Sequence, residues 1–187
     1  MPSNFPFTTA KKKRVLKESP EGLERPPSAI TTWALKKALD GAPKPSWSAA
    51  GYTRGLRAWI AENVKAIHAI EFSIHHPELF YAGTADFLGE IAIQGEDKPV
   101  LSIVDWKTSQ SKNPPWHDYS IQAAAYAIGL ERLTGLKVPG AHIVIARRTG
   151  APIVHAMDSD DLKAASFEWK DRVSRFLDEK ETLGRSA

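Results

Sequence analysis

Two apolar segments of this chain each carry a carboxylate in their middle, and this feature constrains the fold more than any other. The first segment, LFYAGTADFLGEIAI, contains Asp86, and the second, VLSIVDW, contains Asp105. Their length, apolar content and flanking turn residues predict two β-strands. Because an unpaired charge inside an apolar strand is costly, each carboxylate needs a partner.

The Gly-Glu-Asp-Lys-Pro turn between these strands predicts a hairpin that brings the carboxylates together. If Ile93 pairs with Lys98, Asp86 lies opposite Asp105, with Cβ atoms about 5 Å apart on one face. Two carboxylates that close repel each other unless a proton or a cation lies between them. Lys107, two residues beyond Asp105, points to the same side of the strand. The alternative is a structural ion pair between Asp86 and Lys107, with Asp105 in solvent.

This arrangement suits metal-dependent hydrolysis of phosphodiesters. Hard divalent ions such as Mg²⁺ prefer oxygen ligands, and they lower the pKa of bound water and hold phosphate oxygens. Lys107 could orient or deprotonate the attacking water, or stabilise charge in the transition state. Glu71, in the preceding strand, extends the acidic cluster. Because the chain has no cysteine, carboxylates and histidines are its only plausible metal ligands.

Taken in order, these motifs resemble those of a known superfamily. The set consists of Glu71, GTAD ending at Asp86, DWK from Asp105 to Lys107, and Q-x-x-x-Y at Gln122 and Tyr126. It is similar to the PD-(D/E)XK nuclease superfamily, within it to the RecB-like exonuclease branch, and especially to the mitochondrial genome maintenance exonucleases and their phage and bacterial relatives. The resemblance extends from Glu71 to about residue 180.

The resemblance implies a fold, a cofactor and a set of site residues. The expected fold is α/β (α+β), a restriction-endonuclease-like core in which helices flank a central mixed sheet. The cofactor is Mg²⁺ or Mn²⁺, held by Asp86 and Asp105, while Lys107 positions the nucleophile. Gln122 and Tyr126 order the active site and contact the DNA backbone. Glu71 matches an acidic position of the family and is included among the catalytic candidates.

The chain departs from the family in one place. Relatives commonly carry a histidine near the metal, in an upstream helix that contains glycine. Here that region reads GYTRGLRAWIAE, with Gly55 or Trp59 at the corresponding position. His68, which we expect near the end of the same helix, is a candidate substitute.

Hydrophobic periodicity predicts the element order α-α-β-β-β-α-β-β-α, a mixed sheet flanked by helices. We expect helices over residues 28–39, over residues 48–69, from Asp118 or Ser120 to Gly135, and from Asp158 or Ser159 onward. The segments HIVIA and PIVHAM predict a further hairpin. Residues 28–187 are expected to form a single nuclease domain.

Residues 1–27 contain five prolines and the run KKKR, which predict a flexible basic leader. The net charge of +3 arises there, since the remaining basic and acidic residues balance. Such a leader could bind phosphates or lie free in solvent. With no apolar run of membrane-spanning length and no secretory signal pattern, we expect a location in the cytoplasm of a bacterium or a phage-infected host.

Residues after the second carboxylate strand and at the last hairpin are candidate DNA contacts. The alternative is that they belong to ordinary connecting loops. They are Thr108, Ser109, Lys112, Trp116, His117, Arg147 and Arg148.

The sequence therefore predicts a metal-dependent DNA exonuclease of phage or bacterial replication, recombination or repair. The alternatives are a structure-specific endonuclease on the same fold and a non-catalytic DNA-binding module. Single- or double-stranded DNA ends are the expected partner, with a strand-annealing protein as a second partner by family analogy.

Overall fold

A six-stranded mixed sheet lies between helices in the computed structural model, which describes residues 30–31, 49–93 and 96–184. The helices are α1 (Ala50–Asn63), α2 (Trp116–Thr134) and α3 (Ser159–Gly184). The strands are β1 (Ile30–Thr31), β2 (Val64–His76), β3 (Tyr81–Ile91), β4 (Val100–Thr108), β5 (Gly140–Ala146) and β6 (Ile153–Met157).

The strands are ordered β1 to β6 across the sheet, and β4 and β5 form its parallel pair while the other neighbours are antiparallel. A parallel pair needs a crossover connection, and α2 provides it. The α/β fold predicted from the sequence, a mixed sheet flanked by helices, is therefore confirmed.

The central strands bury opposite faces against different helices. In β4, Ile103 belongs to a core with residues of α2 and α3, whereas Val104 belongs to a second core against which residues of α1 pack. Asp105 and Lys107 share the α2 side with Ile103 because side chains alternate along a strand.

Two helix ends follow the predicted signals, whereas α2 begins at Trp116, before the predicted start at Asp118 or Ser120. Gly135 follows α2 in the left-handed conformation, with φ of 72°. Asp158 precedes α3, and its Oδ1 atom accepts the backbone N–H groups of Asp160 and Asp161 at 2.9 Å each. Among the described residues, no helix is long and apolar enough to span a membrane.

The helix predicted over residues 48–69 is wrong at its C-terminal end. α1 stops at Asn63, and the next residues pair with β3. Two register shifts, between Val64 and Ala66 and between Ile67 and Ala69, break the strict alternation of β2. Because a bulge adds a residue to one strand, it spaces apolar positions as a helix would.

The helix predicted over residues 28–39 is wrong at Ile30 and Thr31, which form β1 and pair with Ile67 and Ala66. Both residues are β-branched and favour a strand when a sheet edge offers a partner. The rest of that prediction, and the leader over residues 1–27, lie outside the described residues.

Candidate active site

The β3–β4 ladder has the register predicted from its turn. It runs from the pair Ile91–Val100 to the pair Phe87–Val104, and the next position along each strand is a carboxylate, Asp86 or Asp105. The regular pairing of the two strands ends there. The Oδ2 atom of Asp86 instead accepts the backbone N–H of Trp106 at 2.9 Å. The carboxylate thus satisfies a strand amide at the end of the ladder.

Asp105 is a buried carboxylate with a cation beside it. Its residue exposure is only 2%. Burial raises the pKa of Asp105, the nearby Asp86 charge raises it further, and the hydrogen bond and charge of Lys107 lower it. The Lys107 Nζ atom lies 2.9 Å from Oδ1 and 2.7 Å from Oδ2 of Asp105.

Only the Oδ1 contact has hydrogen-bond geometry. Although Asp105 Oδ2 lies within ion-pair distance of Lys107, it is buried without a hydrogen bond in the described part of the chain. A buried carboxylate oxygen in that state is a favourable ligand for a further cation or a water molecule.

Gln122 and Tyr126 continue the polar chain from Lys107 into α2. The Lys107 ammonium donates to Gln122 Oε1 at 3.0 Å, and Gln122 Nε2 donates to the Tyr126 hydroxyl at 2.9 Å. Because an ammonium only donates, the amide carbonyl must face Lys107 and the amide nitrogen must face Tyr126. Burial raises the pKa of Tyr126, so its hydroxyl stays protonated and keeps a proton to donate.

Tyr119 belongs to the same group, and the sequence analysis missed it. Its ring centroid lies 5.2 Å from Lys107 Nζ, in a cation–π contact. Tyr119, Gln122 and Tyr126 are three and four residues apart, so they form one stripe along α2. That spacing was a signal by which Tyr119 could have been found.

Gly83 allows Tyr126 to approach β3. A Cβ atom at Gly83 would lie 2.9 Å from Cε1 of the Tyr126 ring, closer than side chains normally come. The small residue of the GTAD motif therefore makes room for the tyrosine of the site.

Glu71 lies on β2 at the level of Asp86 but outside the polar chain. Its neighbours Ile70 and Phe72 pair with Phe87 and Ala85. Glu71 itself has a left-handed backbone, with φ of 47°, and an exposed side chain. No hydrogen bond or ion pair joins it to Asp86 or Asp105 among the described residues.

The carboxylates present fit a hard divalent cation. Within the described ranges, no group of three or more His, Cys, Asp or Glu side chains could enclose a metal. Asp86 and Asp105 form a smaller, open set. Mg²⁺ is commonly bound in this way, by one or two carboxylates with water and substrate phosphate as the other ligands. Asp105 Oδ2, which is buried next to Lys107 but makes no hydrogen bond among the described residues, is the structural observation that favours such a cation.

The positions considered for the missing histidine do not supply a ligand. A Cβ atom at Gly55 would lie 2.5 Å from the Gly150 carbonyl oxygen, so Gly55 packs α1 against the β5–β6 turn. Trp59 packs edge-on against Trp106, with ring centroids 5.7 Å apart. His68 lies in β2 rather than in α1, because the helix ends earlier than predicted, and its Nε2 atom is 3.4 Å from Glu90.

The candidate DNA contacts fall into different environments. Thr108 and Lys112 are exposed after Lys107, and Ser109 is half-buried. The half-buried Trp116 packs on His155, with ring centroids 5.5 Å apart. His117 lies 2.8 Å from Glu168 of α3.

The two arginines at the last hairpin also differ. Arg147 donates to the backbone carbonyls of Ser111 and Gln110, at 2.8 and 3.3 Å. The side chain of Arg148 is exposed.

Comparison with proteins of known name gives a consistent result. Mitochondrial genome maintenance exonuclease 1 of Xenopus tropicalis is 29% identical over 154 residues, which cover 79% of this chain and 42% of that protein. The human protein of the same name is 28% identical over 136 residues, which cover 70% of this chain and 38% of that protein. The chain is a homologue of these exonucleases.

This exonuclease homologue spans about two fifths of the length of those relatives. A candidate exonuclease from Eubacterium rectale of known crystal structure is more distant, with 19% identity and a TM-score of 0.41 over 58% of this chain and 44% of that one. No protein-family model matches the chain. The relationship to the named exonucleases confirms the resemblance predicted from the motifs and supports a nuclease function.

Proposed function

We propose that the protein is a Mg²⁺- or Mn²⁺-dependent DNA exonuclease that hydrolyses phosphodiester bonds with water as the nucleophile. One observation supports this most directly. The side chains of Asp105, Lys107, Gln122 and Tyr126 form a continuous polar chain next to Asp86. The names of the homologues motivate the choice of exonuclease.

In this proposal, Asp86 and Asp105 hold the cation. When bound, such an ion lowers the pKa of coordinated water and neutralises charge on phosphate oxygens. Asp86 is oriented for this task because its Oδ2 atom is tied to the Trp106 amide. Asp105 is oriented by Lys107. Both carboxylates are therefore fixed before substrate arrives, which favours electrostatic stabilisation of the transition state.

In this proposal, Lys107 supplies a positive charge at the site and does not act as a base. Its ammonium is surrounded by acceptors, the Asp105 carboxylate and the Gln122 carbonyl, and by the face of the Tyr119 ring. All three partners interact favourably with a positive charge. Of the roles considered for Lys107, orienting the attacking water and stabilising phosphate charge fit these contacts, and deprotonation of water does not.

Gln122 and Tyr126, both on α2, fix the position of the Lys107 side chain through hydrogen bonds. The Gln122 carbonyl accepts from Lys107 and its amide N–H donates to Tyr126. No acceptor among the described residues takes the Tyr126 hydroxyl proton, which can therefore go to a phosphate oxygen. Glu71 remains a candidate, since it lies at the level of Asp86 and is open to solvent.

The test is cleavage of end-labelled single- and double-stranded DNA by purified protein, with Mg²⁺, with Mn²⁺ and with EDTA. We expect cleavage from the ends, its loss in EDTA, and its loss in the Asp86→Asn and Lys107→Ala proteins. Undiminished cleavage by either variant would falsify the assignment of these residues.

Circular single-stranded DNA separates an exonuclease from the endonuclease alternative, because an obligate exonuclease leaves it intact. Metal titration by calorimetry separates both from a non-catalytic module. A protein that binds DNA but neither binds the cation nor cleaves would be such a module.

The cellular setting belongs to the same proposal. We place the protein in the cytoplasm of a bacterium or a phage-infected host, in replication, recombination or repair, beside a strand-annealing protein. Family resemblance alone motivates this setting. Co-purification of a strand-annealing protein with the tagged chain from its native host would support it, and purification of the chain alone would count against that partner.

A further inference from the structure

The segment from Ser109 to Asn113 follows β4 directly after Lys107 and is built largely by its own short hydrogen bonds. The Ser109 N–H donates to the Ala146 carbonyl at 3.4 Å, and Ser109 Oγ accepts the Ser111 N–H at 3.0 Å. Ser111 Oγ in turn accepts the Asn113 N–H at 3.1 Å. Residues 110–113 are exposed, so neighbouring core residues do not hold this segment.

Arg147 completes the segment from the end of β5. Its two terminal nitrogens donate to the carbonyls of Ser111 and Gln110, at 2.8 and 3.3 Å. The guanidinium edge formed by these two nitrogens is therefore turned towards the loop and does not face a phosphate. It also covers two carbonyl oxygens whose negative ends would repel an approaching phosphate.

The same arrangement leaves donors free on the loop. No acceptor among the described residues takes the backbone N–H of Gln110 or Lys112, whereas those of Ser109, Ser111 and Asn113 are used. The Lys112 side chain is exposed and has no acidic partner in the described part of the chain. Lys112 thus presents a positive charge and an unused amide within five residues of Lys107.

We propose that Arg147 is a positioning residue, which braces the Ser109–Asn113 loop so that Lys112 meets a phosphate of the DNA strand. This inference rests on the proposed function, since it takes DNA as the substrate. It differs from the expectation drawn from the sequence, in which Arg147 itself was a DNA contact. Arg148, whose side chain is exposed, is left as the arginine available to substrate.

The first experiment measures the loop without DNA. We would compare amide hydrogen exchange by NMR in the wild-type, Arg147→Met and Arg175→Met proteins. Arg175 is the matched control, because among the described residues it forms an ion pair only with Asp171, on the exposed side of α3. We expect the Ser111 and Asn113 amides to exchange faster in Arg147→Met and at the wild-type rate in Arg175→Met. Unchanged exchange in Arg147→Met would overturn the brace.

The second experiment measures DNA binding in a Lys107→Met background, so that cleavage does not interfere. Anisotropy of a labelled single-stranded oligonucleotide is recorded over a range of salt concentrations. Loss of one phosphate contact lowers the slope of log K against log salt by about 0.7 for a single strand. We expect this loss in Lys112→Ala, the same loss in Arg147→Met, and no additional loss in the double variant.

An additive result, with twice the slope change in the double variant, would mean that Arg147 contacts a phosphate of its own and would overturn the inference. An unchanged slope in Arg147→Met would also overturn the inference, because it would show that Lys112 keeps its phosphate contact without the hydrogen bonds from Arg147. If neither this parent protein nor the wild-type protein in EDTA binds DNA, the proposed function is wrong and the Lys112 contact falls with it. The exchange experiment decides the brace separately.

Discussion

The two faces of the central strand β4 place their buried side chains in opposite environments, one polar and one apolar. On the α2 side, Asp105 accepts a hydrogen bond from Lys107, and a polar chain continues from Lys107 through Gln122 to the Tyr126 hydroxyl. On the α1 side, Val104 and Trp106 pack with Phe87 and Trp59 in an apolar core. Adjacent residues of one strand thus belong to the polar site and to the apolar core, since alternate side chains point to opposite faces.

A buried ionisable residue on each face makes the difference concrete. Asp105 is 2% exposed and has Lys107 beside it. His142, on the strand next to β4, is 4% exposed, lies against Trp59, and has an Nδ1 atom without a hydrogen bond among the described residues. Burial lowers the pKa of His142 to about 4, so this side chain is neutral and serves packing. Both residues are buried, but only Asp105 has an oppositely charged partner. The charged partner, rather than burial, therefore distinguishes the face that carries the candidate site.

The largest expected effect is on the α2 side. Replacing Lys107 by Met keeps most of the side-chain volume but removes the charge beside Asp105. We expect the single-turnover rate of DNA cleavage to fall by about 10²- to 10³-fold, the range for removal of one group that stabilises charge in the transition state. Circular dichroism should show the native fold. A loss of less than tenfold would break the assignment of this face.

On the α1 side, the pH dependence of stability should reveal His142. Its folded pKa of about 4 lies below the ordinary histidine value of about 6.5, so the unfolded chain takes up a proton that the folded protein excludes. Stability is therefore full above about pH 6.5 and falls as the pH drops towards 4, by up to about 3 kcal/mol. Asp105 opposes this trend, because its raised pKa favours proton uptake by the folded state.

The His142→Leu protein isolates the histidine. Urea unfolding of wild type and variant across this pH range should give free energies whose difference changes with pH in the stated direction. If the two proteins keep a constant difference between pH 7 and 4.5, His142 is not a buried neutral residue.

A core substitution on the same face should have a smaller effect, lowering stability without changing the cleavage rate. Val104 is fully buried beside Asp105 but faces α1. Val104→Ala removes two methyl groups from the core, and we expect the free energy of unfolding to fall by about 2 kcal/mol. The cleavage rate per folded molecule should stay within about threefold of wild type. A rate loss as large as that of Lys107→Met would show that the two faces are not separate.

Much of the site could be predicted because it depends on local rules. The turn between β3 and β4 sets the pairing register, and strand alternation then places Lys107 on the side of Asp105. Helical spacing brings Gln122 and Tyr126 to the lysine. Each of these steps needs only the positions of residues within one hairpin or one helix.

Other parts depend on contacts between distant segments, which no local pattern encodes. The bulges of β2 follow from its pairing with β3, and they gave the strand a helix-like spacing from Val64 to Ile67. The hydrogen bonds from Arg147 to Gln110 and Ser111 join residues more than thirty positions apart. The bond from the Trp106 amide to Asp86 requires the strands to stop pairing at that point.

The central claim is that Asp86 and Asp105 form an open site for a divalent cation, and Mn²⁺ binding tests it most directly. Electron paramagnetic resonance of free Mn²⁺ gives the bound fraction without any assay of activity. We expect wild-type protein to bind Mn²⁺, the Asp86→Asn and Asp105→Asn proteins to lose that binding, and the Glu71→Gln protein to keep it. Binding of Mn²⁺ by Asp105→Asn as tight as that of wild type would contradict the account.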